Sequence, residues 1–118
     1  MKKTLLVLAV ALISLTSYGQ LNENAKQTKE LSESIYLSIK SIAVDRFGYD
    51  HEMIVYTINL QADALFEFFE ITKSKNYDEE LMDSMRSKWA VEIDGKYYVD
   101  YEMMIYNYNK QIASKEQY

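Results

Sequence analysis

The chain has 118 residues with 18 Asp and Glu against 13 Lys and Arg, and it contains neither cysteine nor proline. Disulfide staples, thiol chemistry and cysteine-bound metal are excluded at once, and the acid excess argues against a nucleic-acid partner, whose phosphates are held by clustered Lys and Arg. No cysteine, glycine-rich or serine-elbow pattern marks a cofactor or an acyl-transfer site, so no cofactor is expected.

Residues 1–19 open with Lys2 and Lys3, continue with an apolar run from Leu5 to Ile13, and close on small residues at Ser17 and Gly19. This order resembles a bacterial secretory signal. The apolar run is about half the ~20 residues that span a bilayer, so removal rather than membrane insertion is expected. Small residues three before and one before the bond place the cut between Gly19 and Gln20, leaving a single domain, 20–118. Loss of the two lysines turns 13 against 18 into 11 against 18, a mature charge of −7. The expected address is the periplasm or the exterior of a bacterial cell. An oxidising compartment without cysteines leaves packing as the source of stability.

From Asn24 to Phe47, Leu31, Ile35, Ile39 and Ile42 recur at steps of three and four, which predicts one helix widened by Tyr36 and Ala43. Asn24 with Gln27 forms a capping pair, and Gly48 follows where a left-handed residue ends a helix. Asp50 caps a second helix with a polar stripe of Glu52, Tyr56, Asn59, Asp63, Glu67 and Glu70. Most other positions from Met53 to Ile71 are apolar, the pattern of a central helix contacted from several sides. The short Gly48-Tyr49-Asp50 link makes the first two helices antiparallel.

Asn76 with Glu79 predicts the cap of a third helix, Tyr77 to about Lys88. Two β-prone runs then flank Asp94-Gly95, a strong two-residue hairpin signal because both residues tolerate positive φ. Asp100 caps a last helix, Tyr101 to about Ser114. Alternation at Tyr97, Val99, Tyr101, Met103 and Ile105 would also suit a strand, but its partner would have to be the helix-forming segment before the turn. The expected fold is therefore mostly α: four helices in one compact domain, with one short β-hairpin between helices 3 and 4. Three helices and a two-stranded wing invite comparison with winged-helix DNA readers, which the charge and the leader oppose.

Two surfaces are candidates for binding. On the last helix Tyr101, Met104, Ile105, Tyr108 and Ile112 cluster within about 100° as a core stripe, which leaves Met103 and Tyr106 on the opposite flank, with Tyr98 at the hairpin base. Such a Tyr and Met patch is either covered by the same chain or is an interface of the kind in which Tyr supplies contact area and Met adapts. The second surface is the acid strip Asp63, Glu67 and Glu70, either a solvated face or a docking strip for a basic partner. His51 stands alone and cannot assemble a zinc site, and no calcium-loop pattern exists, so no metal is expected.

The resulting expectation is an exported acidic binding module with a basic protein partner, in the manner of a periplasmic inhibitor or immunity-type protein. Two other readings stay open: a small secreted hydrolase using paired carboxylates, for which many acid pairs exist, and a homo-oligomeric structural envelope protein joined through the Tyr and Met patch.

Overall fold

The computed structural model describes residues 19–116, so all of the expected leader except Gly19 lies outside the described residues. The chain is mostly helical: α1 (Glu23–Leu31), α2 (Glu33–Phe47), α3 (His51–Thr72), α4 (Glu79–Lys88), strands β1 (Ala90–Ile93) and β2 (Lys96–Val99), and α5 (Tyr101–Glu116).

The expected four helices are thus five among the described residues, because the first periodic segment breaks at Ser32. Ser32 is extended (φ −155°, ψ 100°) and serves both neighbours. Its N–H donates to Thr28 O at 2.9 Å, closing α1, while its Oγ accepts the Ile35 N–H at 3.2 Å, opening α2. A serine hydroxyl competes with the helix ladder for nearby amides, which is why serine favours such starts. Leu31, expected in the core stripe, stands at the break and is 75% exposed. The hairpin accordingly lies between the fourth and fifth helices, still immediately before the last one.

Two caps differ from expectation in the same way. Asn22, not Asn24, caps α1 by accepting the Ala25 N–H at 2.8 Å. Asp78, not Asn76, caps α4 by accepting the Leu81 N–H at 3.0 Å. That hydrogen bond, helped by Lys115, holds the Asp78 carboxyl below the ordinary carboxylate range. Asp50 and Asp100 cap α3 and α5 as expected, accepting the Met53 and Met103 N–H groups. Gly48 adopts φ 56°, and Asp94 and Gly95 adopt φ 50° and 80°, the two left-handed residues of a tight hairpin turn between Ile93 and Lys96.

Helix α3 is central, as its nearly unbroken apolar circumference requires. One side packs Ile58, Ala62 and Leu65 with Ala25 of α1 and Tyr36, Ile39 and Ala43 of α2. The other packs Ala64 with Met82 and Met85 of α4 and Met104, Ile105 and Tyr108 of α5. Tyr101 and Phe68 touch both clusters, joining them into one interior. The hairpin lies against α2. No helix among the described residues is long and apolar enough to cross a membrane.

Candidate functional site: a polar hub and an acid-walled groove

Among the described residues, Gln61 and Asp100 are the most deeply buried polar side chains, at 0% and 1% exposure. Buried polar groups persist only when paired, and these pair with each other and with three elements. Gln61 Nε2 donates to Asp100 Oδ1 at 2.7 Å, while Gln61 Oε1 accepts the Tyr101 N–H at 2.8 Å and the Glu102 N–H at 3.4 Å. Asp100 Oδ2 forms an ion pair with Arg46 Nη2 of α2, and the Asp100 N–H donates to Trp89 O at 3.0 Å. One amide and one carboxylate therefore satisfy the first turn of α5 and join it to α2 and α3, while the Asp100 backbone N–H ties it to the end of α4. Sequence reasoning recognised Asp100 only as a cap and passed over Gln61 and Arg46. The available signal was Gln61 itself, an amide among Ile58, Leu60, Ala62 and Leu65 on the side of α3 opposite the polar stripe.

Glu102 stands at the edge of this hub. Burial is the main influence and the Asp100 charge adds to it, pushing its carboxyl above the ordinary 4.5, with Arg46 pulling the other way. A carboxyl raised in the fold is favoured in its protonated form there. Its contribution to stability is complete below the unfolded value and is lost as pH rises through the folded value. Glu102→Gln is accordingly expected to melt above the parent at neutral pH, with the gap closing as pH falls below about 4; a gap independent of pH would refute this.

Beyond Glu102 an open groove of about 350 Å³ runs between α3 and α5. Leu60, Ala64 and Ile105 form its apolar part, and Asp63, Glu67, Glu102, Tyr106 and Asn109 line the rest. Two candidate residues of the acid strip and one of the last-helix patch therefore meet at one place. Asp63 Oδ1 accepts from Asn22 Nδ2 and Asn24 Nδ2, both at 2.9 Å, and Glu67 Oε1 accepts from Asn109 Nδ2 at 3.1 Å. These donors are neutral amides. They orient the carboxylates without cancelling their charge, and among the described residues neither carboxylate forms an ion pair.

The remaining candidates lie elsewhere. Glu70 is exposed and paired with Lys73 at 3.4 Å. Met103 is half-buried, and its carbonyl accepts from Asn107 Nδ2 at 2.8 Å. Tyr98 is half-buried opposite Val91 and lines a different depression, shared with Ser41, Val44 and Asp45 of α2 and with Ile93 and Lys96. Tyr106 is 61% exposed. Tyr98 and Tyr106 thus belong to two separate depressions. The buried Trp89 Nε1 has no hydrogen-bond partner among the described residues, and the Lys88 ammonium lies 5.8 Å from the Trp89 ring centre.

Chemically the groove offers negative charge, an aromatic ring and an apolar floor. Asp100 and Glu102 make a poor acid and base pair for hydrolysis, because Asp100 is enclosed and committed to the chain's own donors. Among the described residues no group of three or more His, Cys, Asp or Glu side chains is placed to hold a metal ion. No protein-family model, curated protein or solved structure matches the chain.

Proposed function

We propose that the protein is an exported, non-enzymatic binding module whose partner is a protein presenting a basic segment, in the manner of a small periplasmic inhibitor or immunity-type protein. The observation that carries this reading is the α3–α5 groove, where Asp63, Glu67 and Glu102 stand beside an apolar floor and, among the described residues, none of the three forms an ion pair. A lysine or arginine fits such a groove in both its parts. Its methylene stem covers Leu60, Ala64 and Ile105 while its head meets the carboxylates. The Tyr106 ring adds a face that attracts cations. The acid excess of the whole chain acts in the same direction at longer range, raising the encounter rate with a basic surface.

The test is a titration of isotope-labelled residues 20–118 with a Lys- and Arg-rich amphipathic peptide, read by backbone amide shifts, beside a peptide of reversed charge. Shifts are expected at Glu67, Glu102, Tyr106 and Asn109, and the affinity should weaken as salt rises, because exposed charges are screened. The double variant Glu67→Lys, Glu102→Lys is expected to weaken binding at least about tenfold, since like charges across an interface cost several kcal/mol. Shifts confined to the α2–hairpin face, or an affinity indifferent to salt, would overturn the proposal.

A further inference from the structure

We infer that the mature chain begins at Gln20 and that this residue is a modification site, closing on itself to an N-terminal pyroglutamate. The inference shares with the binding proposal the export leader and Asp63, and it rests on how the polar stripe of α3 is used. Asn59 Nδ2 donates to the Gln20 carbonyl at 3.0 Å, and Asn59 Oδ1 accepts the Asn22 N–H at 2.9 Å. Asp63, one turn further along α3, takes the Asn22 and Asn24 amides. The segment from Gln20 to Asn24 is thus clipped to α3 by amides of both partners, and of the described residues Gln20 is the first so held. Gly19 and Gln20 are both exposed, and a side chain built at Gly19 would meet nothing within 4 Å.

The clip holds the carbonyl side of Gln20, while Gly19 on its amino side is exposed at the edge of a depression shared with Leu21, Tyr36, Lys40 and His51. The Gln20 side chain is on the exposed surface, and its amide is two methylenes from its own backbone, the reach of a five-membered ring. Once the Gly19–Gln20 bond is cut, the new α-amine has an ordinary pKa near 8, and part of it is unprotonated at neutral pH. Its nitrogen attacks the Gln20 Cδ, an N–Cδ bond forms, and the Cδ–Nε2 bond breaks. The amide nitrogen leaves as ammonia with the proton shed by the amine. No oxidant, reductant or second substrate enters. The product has lost the cationic N-terminus, making an acidic protein more acidic by one charge, and it presents no free amine to an aminopeptidase.

The experiment expresses the full 118-residue precursor in a bacterial host, recovers the exported protein, labels its free amines and then digests it with trypsin. Labelled lysines block the tryptic cut, so the N-terminal peptide is 20–46, expected with label on Lys26, Lys29 and Lys40 but none at its N-terminus, and lighter than its open form by one ammonia, about 17 Da. A Gln20→Ala precursor is expected to give the same cut with a labelled amine, which assigns the block to the side chain. A peptide starting at any other residue overturns the inference, as does a labelled Gln20 amine or a Gln20→Ala chain that is still blocked. None of these results bears on the groove, so this inference and the binding proposal fail separately.

Discussion

Gln61→Leu is expected to cost the fold about 3–5 kcal/mol, although leucine nearly matches glutamine in volume. The substitution leaves the Tyr101 N–H without its acceptor and strips the enclosed Asp100 Oδ1 of its 2.7 Å donor. Each orphaned buried group costs about 1–3 kcal/mol, and an under-paired buried carboxylate costs more. A domain of this size is stable by only about 5–15 kcal/mol, so the loss is a large fraction of the total. Urea unfolding is the measurement, with a lower midpoint at unchanged slope as the expected signature. Arg46→Met should cost less, because the Arg46 side chain is 39% exposed and water shares its charge. A Gln61→Leu loss below about 1 kcal/mol would show that the hub is not a determinant of the fold.

The two adjacent methionines of the last helix are expected to respond very differently. Met104 is fully enclosed between Met82, Met85 and Tyr108, and Met104→Ala should cost about 2–5 kcal/mol through lost burial and the cavity left behind. Met103 is only half-buried and lies outside both core clusters, so Met103→Ala should cost under about 1 kcal/mol. Thermal melts of the pair decide it. Equal losses would mean that α5 is rotated from the orientation described, with both flanks enclosed. The contrast also answers the question posed by so greasy a helix: one flank is the core of the chain, and the other is divided between a half-buried Met103 and a largely exposed Tyr106.

Helix α3, the hairpin turn and the start of α5 were legible in the sequence because their signals are local. An apolar circumference, an Asp-Gly pair and a capping aspartate act within a few residues, and no distant contact is needed to read them. The break at Ser32 was not legible, because Leu31, Ile35 and Ile39 keep helical spacing across it and periodicity is blind to a single extended residue. The caps of α1 and α4 were each placed two residues off, since neighbouring Asn and Asp residues offer the same donors and acceptors and only packing chooses between them.

The candidate site divides along the same line. By itself the sequence determined an acidic chain, a central apolar helix, and a carboxylate stripe with no lysine within it. Only the tertiary structure decided that Asp63 holds the N-terminal segment and that Glu67 faces Tyr106 and Glu102 across a groove. It also decided that Gln61, Arg46 and Asp100, far apart in the chain, satisfy one another in the interior. The physical reason is range. Helix and turn preferences are set by neighbours in sequence, whereas the pairing of a buried polar group depends on which distant segment the packing brings beside it.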